Sequence, residues 1–295
     1  MKYTFNNILG NFILDEKFKI VDTKDKKKLE EVPKGKISLV LANFKDKKYY
    51  SEFYEKNLKL TKKGIKASIS EDLLINQAIA NIYELDKINN ILIKRLREWV
   101  GLYLPEFEHS MSNQEKFVEL IIENDKQELL KLIKLKESDC MGADLDESHL
   151  KEIRLLAKEI KELQALRKKH ENYLEKVMVK YCPNLLELAG ITIGAKLIEL
   201  GRTLKHLAML PASTVQLLGA EKALFRHLKT GSRSPKHGII INHPLVQKAG
   251  RKDKGKAARM LADKLSLCAR LDFFKGEFKA KEYRKILEEK LNIKV

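Results

Sequence analysis

A heptad seam near the middle of the chain is the feature that most restricts its fold. Over roughly residues 147 to 181, one set of side chains recurs at alternating spacings of three and four, as in a coiled coil. The seam consists of Ile153, Leu156, Ile160, Leu163, Arg167, His170, Leu174, Val177 and Tyr181. One continuous helix over this stretch would be ~50 Å long at ~1.5 Å per residue. The pattern therefore predicts a long helix with a partner packed along it.

The partner helix is predicted in the preceding segment. Apolar residues recur at helical spacing over 113–137, and the run SDCMGAD at 138–144 supplies a break. The two helices predict an antiparallel coiled-coil hairpin. Arg167 and His170 interrupt the seam, and polar seam residues set register or partner more often than they catalyse. Both faces of the hairpin carry apolar residues, so we expect the seam from Ile153 to Val177 to join two copies of the chain.

The first part of the chain predicts a small unit rich in β-strands. Strand patterns lie at 3–5, 11–14 and 36–41, separated by turn formers at 22–25 and 33–35. Helices are predicted from 49 to about 60 and from about 70 to 100, with Ser68 and Glu71 spaced as a capping box. The fold class is mainly α, with a small α/β N-terminal domain, the hairpin and an all-helical C-terminal domain. The predicted boundaries are 1–106, 107–183 and 184–295.

Positive charge is concentrated in one stretch of this basic chain. From Arg202 to Arg259 there are thirteen Lys and Arg but two acids, Glu221 and Asp253, in a chain with a formal net charge of +17. Lys and Arg neutralise phosphates and release counterions, which favours a polyanion as a partner. His237 and His243 could stack on RNA, hydrogen-bond a partner or cap a turn. Glu221 could orient Lys222 or Arg226, or it could meet a partner's basic residue or the amine on a base edge. The candidate cations are Lys222, Arg226, Lys229, Arg233, Lys236, Lys248, Arg251, Lys256 and Arg259.

Signatures of catalysis are weak. GRKDKGKA at 250–257 nearly matches a phosphate-binding P-loop, but Ala257 stands where the Mg²⁺-binding hydroxyl is required. The histidines show no second ligand at metal spacing, and Cys140, Cys182 and Cys268 are far apart, as expected of reduced thiols. The sequence has no apolar run of membrane-spanning length and no recognisable signal peptide. We therefore expect no cofactor, no metal and no enzyme activity in the chain itself.

Several short blocks, in one order, resemble the Nop-domain family. REWVGLYLPE at 97–106, MGADL at 141–145 and CPNL at 182–185 resemble the family's central blocks. The basic stretch carries GAEK at 219–222, ALFR at 223–226, SPKHG at 234–238, NHPL at 242–245 and GKAAR at 255–259. A set of spaced blocks is far more specific than any one short motif.

The resemblance implies a scaffold of the box C/D small ribonucleoprotein, the particle that directs 2′-O-methylation of RNA. It implies that the N-terminal domain holds the methyltransferase fibrillarin, which carries S-adenosylmethionine, and that the coiled coil forms a homodimer. It further implies that the C-terminal domain grips guide RNA at a kink-turn already bound by a ribosomal-type protein. The location would be cytoplasmic in an archaeon and nucleolar in a eukaryote. Two alternatives stay open: a spliceosomal-type Nop protein, and a stand-alone RNA-modifying enzyme.

Overall fold

The computed structural model describes residues 2–21 and 29–293, and the chain divides into two units at Ser70–Glu71. Within its described residues, the first unit contains a three-stranded sheet, two α-helices and short 3-10 helices, and the second unit is built from helices. The predicted mainly α fold class, with a small α/β portion at the N-terminus, is confirmed. Among the described residues, no helix is both long enough and apolar enough to cross a membrane. The predicted functional boundaries at 106 and 183 stay predictions.

The sheet of the first unit has the order β2-β1-β3. Strand β1 (Lys2–Asn7) pairs antiparallel with β2 (Gly10–Leu14), with Phe5 opposite Phe12, and parallel with β3 (Leu29–Glu31). The strands expected at 3–5 and 11–14 are confirmed. The turn expected at 22–25 lies outside the described residues.

The strand expected at 36–41 is wrong, because this segment forms helix α1 (Ile37–Ala42). Val40 is buried and Ile37, three residues earlier, is half-buried, whereas Ser38, two residues before Val40, is exposed. The inward side chains therefore follow helical spacing and not the two-residue alternation of a strand. The Asn43 side chain then closes the helix by donating to the carbonyl oxygens of Val40 (3.2 Å) and Phe18 (2.7 Å). A short apolar run fits strand and helix alike, and here tertiary contacts decide for the helix.

Helix α2 (Tyr50–Ala67) confirms the helix expected from residue 49 and runs seven residues beyond the expected end. The capping box expected from Ser68 and Glu71 is wrong. The Ser68 hydroxyl donates back to the Ile65 carbonyl oxygen (2.7 Å) and so belongs to the end of α2. A serine side chain makes such local hydrogen bonds at the start or at the end of a helix. The spacing between Ser68 and Glu71 does not tell which of the two applies.

The second unit is built on the pairing of α3 (Glu71–Tyr103) with α7 (Glu147–Tyr181). The two helices are antiparallel. At one end the Ala143 amide donates to the Leu102 carbonyl oxygen (2.9 Å), and at the other the Tyr181 hydroxyl donates to Asp72 (2.9 Å). The long helix expected over 147–181 is confirmed.

The expected partner helix at 113–137 is wrong. The segment forms two short α-helices, α5 (Gln114–Glu123) and α6 (Lys126–Leu132), which follow the short helix α4 (Pro105–Ser110). Asn124 adopts an extended conformation after α5, and Asp125 and Glu128 form a capping box that starts α6. The short helices pack at the far end of the hairpin, where Phe107 and Phe117 are fully buried.

The other end of the hairpin enters a helical bundle. Pro183 cannot continue α7 and instead starts α8 (Pro183–Ala189). The bundle contains α9 (Ile191–Gly201), α10 (Leu204–Met209), α11 (Ala212–Leu217), α12 (Glu221–Thr230), α13 (Pro244–Lys248), α14 (Lys254–Phe273) and α15 (Ala280–Leu291). Helix α14 packs against α8, α10, α11, α13 and α15, and its buried face includes Leu261 and Leu265. It is the central element on which the basic surface is mounted.

Candidate nucleic-acid interface

Helix α12 carries the ALFR block and the last two residues of the GAEK block, and none of its ten residues is buried. It starts after a turn at Gly219, whose φ of +86° favours glycine, and Glu221 accepts a hydrogen bond from the Gly219 amide (2.7 Å). An acid in the first helical turn also suits the positive end of the helix dipole. The helix ends at Gly231, which is left-handed (φ 65°) and donates to the His227 carbonyl oxygen (2.9 Å).

Two adjacent strips run along α12. Lys222, Arg226 and Lys229 are all exposed and lie at spacings of four and three, so they share one face. Phe225 and Leu228 are 62% and 69% exposed and form an apolar strip beside the cations. An exposed helix with a basic strip next to an apolar strip can contact a phosphate backbone and a protein surface at once.

The SPKHG block is held against α11 by backbone pairing. The Gly238 amide donates to the Gln216 carbonyl oxygen and the Ile239 amide to that of Leu218, both at 2.7 Å. A Cβ on Gly238 would lie 1.9 Å from the Leu218 carbonyl oxygen, so this approach requires glycine. The loop that carries Arg233 and Lys236 is thereby fixed beside the bundle.

The GKAAR block lies next to this loop. A Cβ on Gly255 would be 3.4 Å from the Lys236 side chain, so Gly255 makes room for the stem of that lysine at the start of α14. The fold therefore brings two blocks together that are about twenty residues apart in sequence. Arg259, one turn further along α14, lines a groove of about 430 Å³ with Gln216, Lys264 and Lys290.

The structure places the predicted site residues in three classes. Ten are exposed, and His237 is half-buried. His243 is 2% exposed, so it does not reach RNA in this fold, and the alternative of capping a turn holds instead. The exposed residues are Glu221, Lys222, Arg226, Lys229, Arg233, Lys236, Lys248, Arg251, Lys256 and Arg259. Their roles in binding RNA or a partner stay predictions.

Exposed Phe225 and Leu228 were not among the predicted site residues, which were chosen by charge. The signal was present in the sequence, because ALFRHL gives α12 apolar side chains on a face that its neighbours do not bury. Detecting it requires knowing that α12 stands away from the core. That knowledge depends on tertiary structure and not on local pattern.

The near-match to a P-loop does not form a nucleotide site. The segment before it is helix α13 and not a strand, and Ala257 is fully buried on the inner face of α14. No group of three or more metal-binding side chains occurs among the described residues. Cys182 and Cys268 are buried, and burial raises the pKa of Cys268 to about 12, so this thiol stays protonated and unreactive.

The seam residues lie inside the hairpin of a single chain. Ile153, Ile160 and Leu174 are buried, and Arg167 pairs with Asp86 on α3 (2.6 Å) and with Glu171 (2.9 Å). His170 contacts the Asn81 side chain at 3.0 Å. The other seam residues, Leu156, Leu163, Val177 and Tyr181, are half-buried. The polar seam positions thus fix the register between α3 and α7, whereas a dimeric role for the seam stays a prediction.

The family described as "Nop: snoRNA binding domain, fibrillarin" matches residues 81–294, which include α7, α12 and α14. The chain belongs to the Nop family. It is 42% identical over 83% of its length to an uncharacterised NOP5 family protein of Methanocaldococcus jannaschii. It is 39% identical over 70% of its length to nucleolar protein 58 of Candida albicans, and 36% identical over 69% to nucleolar protein 56 of Schizosaccharomyces pombe.

This Nop-family chain spans 63% of the length of the Methanocaldococcus relative, and 43% and 45% of the two nucleolar proteins. A chain in a solved fibrillarin/Nop5p complex is 25% identical, with a TM-score of 0.47 over 98% of this chain and 99% of that one. The family match confirms the resemblance carried by the sequence blocks. The match to the family model begins at residue 81, within α3, so it does not include the first unit.

Proposed function

We propose that this chain is a non-catalytic scaffold of a box C/D small ribonucleoprotein that directs 2′-O-methylation of RNA. In this proposal the second unit binds guide RNA together with a ribosomal-type protein that recognises a kink-turn. The first unit binds the methyltransferase fibrillarin, which supplies S-adenosylmethionine. The observation that carries the proposal is α12, an exposed helix of the family's signature blocks with a basic strip beside an apolar strip.

The two strips on α12 suggest which residues contact RNA and which contact the protein partner. In this proposal Lys222, Arg226 and Lys229 contact RNA, while Phe225 and Leu228 contact the kink-turn protein. Phosphate contacts position a protein on RNA, but they carry little sequence information. A composite surface gains specificity because neither RNA nor protein fills it alone.

The test is binding to a kink-turn RNA with and without the kink-turn protein, measured over a salt series. We expect the chain to bind far more tightly when that protein is already on the RNA. Arg226→Ala should weaken the three-component complex by ~1–3 kcal/mol if its contact is directed and bidentate. Lys252→Ala, at an exposed cation away from α12, is the control and should mainly reduce the salt slope by about one.

Phe225→Ala separates the protein contact from the RNA contact. It should weaken the three-component complex while leaving binding to RNA alone unchanged, because the ring is assigned to the protein partner. Equal affinity for RNA with and without the kink-turn protein would instead make α12 a general RNA-binding surface and overturn the proposal. The spliceosomal-type alternative is distinguished by fibrillarin, which should then fail to co-purify. A stand-alone enzyme would transfer a methyl group to RNA without a partner.

A further inference from the structure

A second cluster of lysines and aromatic rings lies where α14 ends and α15 begins. Phe274 and Phe278 are 67% and 49% exposed, and lysines alternate with them along FFKGEFKAK. A groove of about 600 Å³ opens beside the turn and reaches the last turn of α7. Its lining includes Lys180, Tyr181, Phe273, Lys275 and Phe278. None of these residues belongs to the surface around α12.

The turn that carries the rings is held in one conformation. The Gly276 amide donates to the Leu271 carbonyl oxygen (2.8 Å) and the Phe274 amide to that of Arg270 (2.9 Å), which closes the end of α14. The Asn184 side chain accepts from the amides of Lys279 (2.8 Å) and Ala280 (3.1 Å). A rigid platform loses little conformational freedom when a ligand binds to it.

Lys275 occupies the position after α14 at which helices usually place glycine. Its φ is +53°, a left-handed conformation that any side chain opposes, and glycine follows one residue later. The chain thus keeps a cation on the rim of the groove where glycine would be more stable.

The charges around the groove favour an anionic ligand. Lys180, Lys275 and Lys281 are exposed, and Lys281 lies 6.0 Å from the centre of the Phe278 ring. Two of the nearby acids have other roles. Glu277 pairs with Lys279 (3.1 Å), and Asp272 is buried, where it accepts from the Asn184 and Leu185 amides at the start of α8.

We propose that this cluster binds single-stranded RNA, with bases stacked on Phe274 and Phe278 and phosphates beside Lys180 and Lys275. Proteins bind single-stranded nucleic acids through exposed aromatic rings interleaved with lysines, because every base has a face that can stack on a ring. Arg259 and Phe274 are fifteen residues apart at opposite ends of α14, which corresponds to ~22 Å. The chain therefore has a second RNA-binding surface, beyond the kink-turn surface of the proposed function.

The experiment uses the full chain and a 4-thiouridine-labelled uridine oligomer of about ten nucleotides, a length within the range of single-strand sites. Irradiation should cross-link the oligomer to the segment that contains Phe274 and Phe278, as mapped by mass spectrometry. The double variant Phe274→Ala with Phe278→Ala should weaken binding of this oligomer by about tenfold or more, measured by fluorescence anisotropy. Binding of an RNA duplex of equal length should stay unchanged, because paired bases are not free to stack on the rings.

Lys275→Gly removes a cation, and it should not destabilise the fold because glycine favours the left-handed backbone at this position. Weaker binding by this variant therefore cannot be attributed to unfolding. It should weaken oligomer binding severalfold and lower the salt slope by about one. Lys134→Gly is its matched control, because Lys134 is also exposed with a φ of +58° but lies outside the cluster. The control should bind the oligomer as the unmodified chain does.

Three outcomes would overturn the proposal. They are cross-links confined to α12 and the 231–237 loop, a double variant that binds single strands normally, and equal effects of Lys275→Gly and Lys134→Gly. A glutamate-rich peptide that needs both rings for binding, with RNA binding unaffected, would assign the cluster to an acidic protein segment instead. Assembly on the kink-turn complex should survive the double variant, so failure here is separable from failure of the proposed function.

Discussion

His243 lies at the first turn of α13 with both ring nitrogens hydrogen-bonded. Nδ1 accepts from the Leu245 amide (3.2 Å), so Nε2 carries the hydrogen and donates to the Leu188 carbonyl oxygen (2.9 Å). Burial lowers the pKa of His243, and the bond to Leu188 opposes that shift. The folded chain therefore holds the imidazole neutral, while the unfolded chain binds a proton near the ordinary pKa of about 6.5.

This difference predicts the pH dependence of stability. A base whose pKa is lowered by folding contributes stability that is fully present above the unfolded pKa, and that is lost as the pH falls toward the folded pKa. The free energy of unfolding should thus decrease as the pH drops below about 6.5. His243→Asn keeps an acceptor for the Leu245 amide but cannot titrate. It should be less stable at pH 8 by about 1 kcal/mol and lose less on acidification.

Urea unfolding at a series of pH values checks this expectation. The control is His109→Asn, because the His109 side chain is 89% exposed and its replacement should change the free energy of unfolding at pH 8 by about 0.5 kcal/mol or less. An acid-induced loss of stability that is the same in His243→Asn and the unmodified chain would contradict the assignment.

Charged side chains were easier to place from sequence than histidines. Lys and Arg rarely bury, so an acid-poor basic stretch predicts an exposed surface, and the exposed Lys222, Arg226 and Arg259 agree. Histidine fits both surface and interior. The partner that decides for His243 is a carbonyl 55 residues away, which no local pattern reveals.

At the scale of elements, the heptad pattern predicted helix α7, but the sequence did not identify the helix that packs against it. Helical spacing occurs both in α3 and in 113–137, and either could have faced the seam. The capping box of Asp125 and Glu128 was a signal in the sequence that the second segment is broken. The choice of α3 as partner depends on long-range pairs such as Arg167 with Asp86, which become visible only in the fold.

Ile160→Asp tests this hairpin. Ile160 is fully buried within the chain, so an unpaired carboxylate there should lower the free energy of unfolding by about 3 kcal/mol or more. Leu155→Asp is the matched control on the same helix, since Leu155 is 52% exposed and should change stability by about 0.5 kcal/mol or less. Urea unfolding compares the two, and a small effect of Ile160→Asp would argue against the α3–α7 pairing.

At the scale of the whole molecule, helix α3 offers a second candidate dimer surface besides the half-buried positions of the seam. Ile88, Ile91, Trp99 and Leu102 on α3 are between 41% and 68% exposed and lie along one side of the helix. Trp99 and Leu102 also line a groove of about 260 Å³. This stripe, which we call the α3 stripe, can form an interface without opening the hairpin.

We predict that two copies of the chain join through the α3 stripe, so Ile91→Asp combined with Leu102→Asp should give a monomer. The urea midpoint should change little, because both side chains are exposed in the single chain. Sedimentation velocity measures the mass. Lys94→Glu is the control, because it also adds negative charge on α3 but replaces an exposed polar residue outside the stripe. A wild-type chain that sediments as a monomer at micromolar concentration would remove the α3 stripe as a dimer surface.

The division into two units also determines how fibrillarin binding has to be tested. A cut at the predicted boundary of 106 would separate α3 from α7 and expose the fully buried Ile79, Ile82 and Leu96. A cut after Ser70 follows the boundary between the units and leaves the hairpin whole. We expect residues 71–295 to keep kink-turn assembly and to lose fibrillarin, because the proposed function assigns fibrillarin to the first unit. Fibrillarin retained by 71–295 in a pull-down, with circular dichroism showing a folded fragment, would instead place that contact on the hairpin or the bundle.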